Sequence, residues 1–526
     1  MDIIINDIET KNIEFLESRN FSREEIFLAT IAILSKSALI QKVYAKKIVI
    51  SSDYNVAIQI SLLWALGLRS RVYIKKHSHQ MIEEVILRIK DFIPIYEILE
   101  FLKNSAYTYN CDLEKKEVVI DSKWIDSSKN KDIMSRFEKH NFSTIYLNHE
   151  DFNMQAQNII VKRAGNYSLY LELYKQLTQD SRKFGLDITD DEWNHFYSFY
   201  YKINIEIIGN ITNSILGINA NDIISVITSI QAIAKINYYK VYLVLDTLNN
   251  SKQLDSAHFD NEIFYIKIKR NELIEFIKNK THLNQYVIEK IVNMLLFSNE
   301  NNNYMTHPLV LVHDDICFSM FFGDNFALSF EDLCRNVDLE SYRKISTEIS
   351  NNLLQDIIHL IRSYDNLVYI SEYEYKVKKD TLFEFDLIIK DKTTSKAIVF
   401  ERKTLKLSPI SSQKSIDKSM EKGDKQLRKI EDYLAINNTL DIDCVGSMEK
   451  DDVYFCLLTK FSTGNFDLDN AYPLIVHYEL MNLIKNSNGK LDDIIVGIKK
   501  INNIKREAPS IAQLTWESYK FIFPSF

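Results

Sequence analysis

The sequence predicts an α/β protein: an N-terminal α/β domain, a mainly helical middle region, and a C-terminal core ordered helix, three strands, helix, strand. Three observations predict it. Apolar strand-like runs alternate with helical patterns over residues 1–154, and residues 155–303 carry apolar side chains at three- and four-residue spacing. From about residue 340 a helical stripe is followed by three successive strand-like runs. At 526 residues the chain exceeds what one core usually organises. The third domain is therefore expected over 304–526, with its core at about 340–480.

In the first domain, 23–43 reads as a helix, 47–51 as a strand and 56–66 as an apolar helix. A second strand follows at 72–75, then an amphipathic helix over 81–92 that Pro94 should end or kink. Residues 117–121 and 144–147 are further strands, and the alternation implies a parallel sheet with covered faces. Ser51-Ser52-Asp53 follows the first strand, where such sheets often bind ligands, but no phosphate-binding glycine motif accompanies it.

In the middle region 167–176, 190–216 and 223–236 read as helices, with strands at 241–245 and 263–268. The aromatic run from Trp193 to Tyr201 reads as core. Residues 299–303 are the expected linker, and 308–312 with 317–322 an expected hairpin leading into the last domain.

Charge and composition narrow the class. The net charge is −8, which does not suggest a general nucleic-acid binder. Yet Lys376–Lys429 holds 15 Lys/Arg against 8 Asp/Glu, a local +7 that leaves −15 for the remainder. Five scattered cysteines without a CxxC pair argue against a zinc site or disulfide framework. The N-terminus lacks a signal-peptide pattern, and no apolar run approaches the roughly 18 residues of a membrane span. A soluble, cytoplasmic protein with no membrane association is expected.

The C-terminal core carries the chemistry. Ile345, Ile349, Leu353, Ile357 and Ile361 form one helical stripe with Glu348 at its edge. Strands are expected at 367–377, 382–389 and 396–403, a second helix at 416–434, a strand at 453–461 and a helix at 476–484. Strand alternation puts Glu384, Asp386 and Ile388 on one face, with Phe383, Phe385, Leu387 and Ile389 on the other. On the next strand Val399, Glu401 and Lys403 share a face. A four-residue turn at 392–395 would set Asp386 across from Glu401, with Cβ atoms roughly 5 Å apart. Two such carboxylates repel unless a hard divalent cation relieves them. A lysine beside them can orient a water or stabilise charge developing on a phosphate.

Asp386 followed by Glu401-Arg402-Lys403 in this element order resembles the PD-(D/E)XK nuclease superfamily, restriction-endonuclease-like, over about a quarter of the chain. No proline precedes the aspartate; Phe385 stands there. The resemblance implies a metal-dependent endonuclease with Asp386, Glu401, Lys403 and Gln426 catalytic, and with Glu348, Asp386 and Glu401 as ligands of Mg2+ or, alternatively, Mn2+. Tyr433 lies on the same helical stripe as Gln426, as its expected partner. It implies double-stranded DNA as substrate, in a restriction-like or phage-defence setting; the first 340 residues are expected to recognise a substrate, a signal or a protein partner, with the oligomeric state left open. RNA cleavage, or a binding protein with a degenerate nuclease-like domain, are the alternatives.

Lys418, Lys422, Lys425 and Lys429 form a stripe on the second helix suited to a phosphate backbone. Spacing alone is weak, since Glu114/Lys116, Glu374/Lys376 and Asp121/Lys123 share it without a carboxylate on a paired strand. His77-Ser78-His79 reads as a polar loop and His313-Asp314-Asp315 as a hairpin turn.

Overall fold

The computed structural model is mixed α/β and describes residues 2–19, 23–45, 58, 60–62, 79–104, 109–120, 155–156, 158–160, 185–209, 211–254, 261–298, 303–304, 306–322, 326–377, 380–403, 413–442, 444–460, 471–502 and 510–525. The expected strands at 47–51, 72–75 and 144–147, the helix at 167–176, Ser51-Ser52-Asp53, His77-Ser78, Asp121/Lys123, most of 56–66 and most of the 299–303 linker lie outside the described residues. The chain divides into two compact units, 1–99 with 148–345, and 100–147 with 346–526.

In the first unit, α1 spans Asp2–Ser18, α2 Arg23–Ala45 and α3 begins at His79. Within α2, Glu24–Tyr44 is by length and composition apolar enough to cross a membrane, although Ser35 and Lys36 interrupt its longest apolar run. Over half of its most apolar window is buried in the fold, Ile26, Phe27, Ile31, Leu39 and Val43 included. Helix α3 runs to Asn104, through Pro94, where an end or kink was expected. A proline inside a helix costs about 3 kcal/mol, and burial of Ile89, Phe92, Ile93, Ile95 and Leu99 on both sides of it offsets that cost.

The next helices are α4 (Asp190–Ile208) and α5 (Ala220–Asn250), separated by the short strands β3 (Ser214–Ile215) and β4 (Ile218–Asn219). The expected helix over 190–216 thus stops at Ile208, where Gly209 takes φ 89°. The expected strand at 241–245 is instead helical: α5 continues unbroken and is buried from Val226 to Leu245. An apolar run buried on every side carries no period, so strand and helix look alike in it. Trp193, Phe196 and Tyr200 of the aromatic run are core. Strand β5 (Tyr265–Lys269) precedes α6 (Arg270–Thr281) and α7 (Gln285–Met294); then β6 (Val310–Val312) and β7 (Asp315–Ser319) form the expected hairpin, followed by α8 (Phe326–Val337). That hairpin pairs with β5 inside the first unit and does not open the last one. His313 sits in its turn at φ 56°.

The second unit contains a four-stranded sheet ordered β1 (Tyr109–Asp112), β2 (Glu117–Ile120), β16 (Tyr519–Ser525) and β15 (Ser510–Trp516). The described strand of the expected N-terminal parallel sheet, β2, instead forms an antiparallel hairpin with β1, and its other edge pairs in parallel with β16 from the far end of the chain.

The larger sheet of this unit is five-stranded, ordered β14 (Leu474–Val476), β13 (Val453–Thr459), β10 (Ala397–Lys403), β9 (Asp380–Asp391), β8 (Leu367–Val377). Strands β8, β9 and β10 form an antiparallel meander; β10, β13 and β14 run parallel, and β11 (Thr439–Ile442) and β12 (Gly446–Glu449) form a separate hairpin. On one face packs α10 (Gln413–Asn437), with Met420, Leu427, Ile430 and Leu434 against Ile388, Val399, Phe455 and Leu457. On the other lie α9 (Leu339–Ile361), α11 (His477–Asn486) and α12 (Leu491–Asn502), packed on Leu387, Ile389, Ile398, Phe400 and Leu458. Covered on both faces, Ala397–Phe400 is apolar at every position, as a central strand must be.

One expectation about faces is corrected. Leu387 and Ile389 belong to the α9 side, but Phe383 and Phe385 turn to the α10 side with Ile388. Tyr373 and Tyr375 on β8 do the same. The cause lies at Glu372, opposite Asp386 in the register, whose φ of 51° takes the backbone out of the β region. One left-handed residue interrupts the alternation, and the outer halves of both strands roll over together.

Candidate active site

The β9–β10 ladder pairs Lys390 with Ala397, Ile389 with Ile398, Ile388 with Val399 and Leu387 with Phe400. One further step sets Asp386 across from Glu401, through the four-residue turn 392–395 closed by Asp391 N–H to the Lys396 carbonyl at 2.9 Å. The ladder does not close at that step with a main-chain pair. Instead the Arg402 N–H donates to Asp386 Oδ2 at 2.6 Å, fixing the carboxylate beside the strand.

Glu401 is buried, its side chain 4% exposed, and its carboxyl lies in hydrogen-bonding contact with that of Asp386. Burial first, and then the Asp386 charge, push the Glu401 carboxyl up to about 7 against the opposing pull of Lys403. Lys403 Nζ pairs with Glu401 Oε1 and donates to Gln426 Oε1 at 2.7 Å. Gln426 reaches it because α10 lies close to β10 one turn earlier, at Gly423. A Cβ there would stand 2.7 Å from Leu457 Cδ2 and 3.0 Å from Lys403 Cε.

Asp386, Glu401, Lys403 and Gln426 are therefore brought together from two strands and one helix. Glu348 is not gathered with them: among the described residues no three His, Cys, Asp or Glu side chains form a metal-holding group. Helix α9 reaches this end of the sheet through Ser350, whose carbonyl accepts from Arg402 Nη1 at 2.8 Å. The contacts of Tyr433 run to the aromatics of β8 and β9 instead: its ring packs on Phe383 at 5.2 Å and Tyr375 at 6.0 Å. Its hydrogen bond is the largest cause holding the Tyr375 hydroxyl up at about 12.

The competing ExK pairs separate cleanly. Glu374 and Lys376 pair with each other at 2.6 Å on the exposed end of β8, and Glu114 and Lys116 lie in the β1–β2 turn. Lys418, Lys422, Lys425 and Lys429 are exposed along α10. Three contributors escaped sequence reading: Arg402, which braces Asp386 and Ser350; Gly423, which admits the helix; and Glu372, whose carboxylate meets Arg402 Nη2 at 3.3 Å. Gly423 had a usable signal, being a glycine within a strong helical pattern near the suspected glutamine.

No protein-family model, curated protein or solved structure matches this chain. The functional reading rests on the chemistry of these residues.

Proposed function

We propose that the second unit is a metal-dependent endonuclease of PD-(D/E)XK type that hydrolyses phosphodiester bonds in DNA. The observation that carries the reading is the contact of Asp386 and Glu401 with Lys403 held between Glu401 and Gln426. The three-layer arrangement of α9, the β8–β9–β10 meander, α10 and β13 supports a restriction-endonuclease-like core.

The donor set suits a hard cation. Asp386 and Glu401 offer only oxygen, and a carboxyl raised to about 7 by burial, and then by its neighbour's charge, marks a pair that an extra positive charge would relieve. Mg2+, or Mn2+ in its place, would supply Lewis-acid charge at the phosphate and acidify a water there. Arg402, through its main chain, holds Asp386 in place to receive the ion. Lys403 directs its ammonium at the attacking water and at charge building on the phosphate, and Gln426 keeps that ammonium aimed. The exposed lysines of α10 add a phosphate-tracking surface. The first unit would select the target or a protein partner, in a cytoplasmic, restriction-like or defence role.

Purified protein incubated with supercoiled plasmid, and separately with RNA, should cut plasmid with magnesium and not with chelator. Asp386→Asn and Lys403→Ala should abolish cutting while folding as wild type. Cleavage of RNA alone would replace the DNA assignment. If neither polymer is cut and Glu401→Gln binds magnesium as wild type does, the catalytic reading fails and a binding role takes its place.

A further inference from the structure

Asp386 sits at a break in the sheet. The β8–β9 pairing passes from Ser371–Leu387 to Tyr373–Phe385, and the β9–β10 pairing stops at Leu387–Phe400, so Asp386 falls in the gap on both sides. The residue facing it on β8 is Glu372, at φ 51°. Its carboxylate is held instead by the Arg402 N–H at 2.6 Å. Its placement therefore depends on what fixes the Arg402 main chain and the Glu372 backbone.

The Arg402 side chain acts on both. Its guanidinium donates through Nη1 to the Ser350 carbonyl of α9 at 2.8 Å and through Nη2 to Glu372 Oε1 at 3.3 Å. One residue of β10 thus joins β8, β9 and α9 at the level of Asp386. Two acceptors on separate elements suit the planar fork of arginine, which a lysine ammonium does not reproduce. The bond to Glu372 matters because a left-handed residue that carries a side chain persists only where its surroundings hold it, and such residues cluster at functional sites. Relaxing Glu372 into the β region would restore strand alternation there and shift the stretch of β9 that carries Asp386.

A plain staple between α9 and β8 would make similar bonds, and the fold supplies one for comparison. Arg362, just past the end of α9, donates through Nε to the Tyr369 hydroxyl on β8 at 2.8 Å. It joins the same two elements about 18 Å further along the helix direction, where the facing residue on β9 is Ile389 and not Asp386.

We propose that Arg402 is a positioning residue whose guanidinium, anchored on Ser350 and Glu372, sets the geometry of Asp386 for a divalent metal. The inference rests on the nuclease reading and adds to it the side chain that holds its metal-binding carboxylate. Arg402 then acts on Asp386 twice, directly through its N–H and indirectly through the backbone opposite.

The test measures metal binding beside cleavage. Mn2+ is titrated into full-length protein and the free ion is followed by electron paramagnetic resonance; the site counted is the one that Asp386→Asn abolishes. Plasmid cleavage is measured against magnesium concentration in parallel. Arg402→Met keeps an unbranched stem and removes both side-chain bonds. It should raise the Mn2+ dissociation constant about 10- to 100-fold, the usual effect of losing support behind a metal ligand, and raise the magnesium needed for half-maximal cutting. Arg362→Met should change neither. Adding Glu372→Gly to Arg402→Met should recover part of the lost affinity, because glycine takes this backbone conformation without strain. If Arg402→Met does not fold, Arg402→Lys, which reaches one acceptor in place of two, carries the same comparison with the same signs.

Wild-type affinity in the Arg402 variant, an equal loss in Arg362→Met, or no recovery with Glu372→Gly overturns the positioning role, even if wild type cuts plasmid. The expected affinities in a wild type that cuts no polymer support the role and sink the nuclease reading alone. A wild type that binds no Mn2+ overturns both.

Discussion

Lys403 Nζ donates to Gln426 Oε1 at 2.7 Å while also pairing with Glu401 Oε1. The lysine is thereby anchored from two sides, by a strand neighbour that carries charge and by a helix neighbour that carries none. Its side chain is 17% exposed, enough for a small reactant to approach and too little for the ammonium to swing freely into solvent. A group held in this way needs little reorganisation when charge develops beside it.

Gln426→Ala removes the neutral anchor and leaves the charged one. The ammonium then collapses onto Glu401, and Lys403 loses its aim at the water. Loss of such a supporting hydrogen bond typically lowers activity by about 10- to 100-fold. The thermal midpoint should stay near that of wild type, because Gln426 contributes no core apolar surface. Plasmid nicking rates beside a melting curve check this; an unchanged rate would mean that Lys403 is positioned by Glu401 alone.

Gly423→Ala tests the closeness of α10 to the sheet. Alanine is the better helix former by about 1 kcal/mol, so an unobstructed site would gain stability. Here the added methyl meets Leu457 Cδ2 at 2.7 Å, and Glu401 Cγ lies at 3.5 Å. Overpacking of this kind costs about 1–3 kcal/mol. Either buried Leu457 and the Lys403 stem give way or the helix retreats, and both displace the Lys403–Gln426 contact. Urea unfolding should show a net loss of stability, and the residual folded protein should nick plasmid more slowly than Gln426→Ala.

Glu401 predicts a pH dependence in metal-free protein. Its carboxyl sits near 7 in the folded chain against an ordinary 4.5, with burial the main cause. Between those values the unfolded chain has given up a proton that the native state still holds. The native state therefore binds more protons, and this contribution to stability falls as pH rises from about 4.5 to about 7, then levels. In chelator, wild type measured against Glu401→Gln should lose relative stability across that window. Magnesium favours the ionised carboxyl and should shift the fall to lower pH. A difference between the two proteins that does not vary with pH would show that Glu401 ionises normally.

What could be read in advance followed from regular backbone. Leu367–Val377 was bounded correctly by its apolar run, and the Asp386–Glu401 pairing followed from the 392–395 turn and the two-residue period of strands. Gln426 was expected only from the resemblance to the nuclease superfamily; the apolar stripe of Leu427, Ile430 and Leu434 made its helix legible, not its role. What stayed hidden depends on backbone states or on distant pairings that no local pattern records. The run 241–245 is buried throughout and so carries no period to tell helix from strand, and β2 found its partner in β16 some 400 residues away. The face reversal of Phe383 and Phe385 arises from one φ value on another strand, at a glutamate that looks like any other polar strand residue.

That reversal yields the last prediction. At an ordinary exposed strand position valine is favoured over glycine, because branched side chains suit the pleat and glycine adds chain entropy to the unfolded state. At Glu372 the order should invert. A left-handed backbone costs a side-chain-bearing residue about 1–2 kcal/mol, and a β-branched side chain fits it worst. Glu372→Gly removes that strain while losing an exposed contact to Arg402 worth about 0.2–1 kcal/mol. Its unfolding midpoint should match or exceed that of wild type. Glu372→Val loses the same contact and adds strain, and should fall below both by about 1–2 kcal/mol. If valine proves more stable than glycine here, the strand is regular at this position. Phe383 and Phe385 would then have to face away from α10, and the aromatic contact of Phe383 with Tyr433 would be lost.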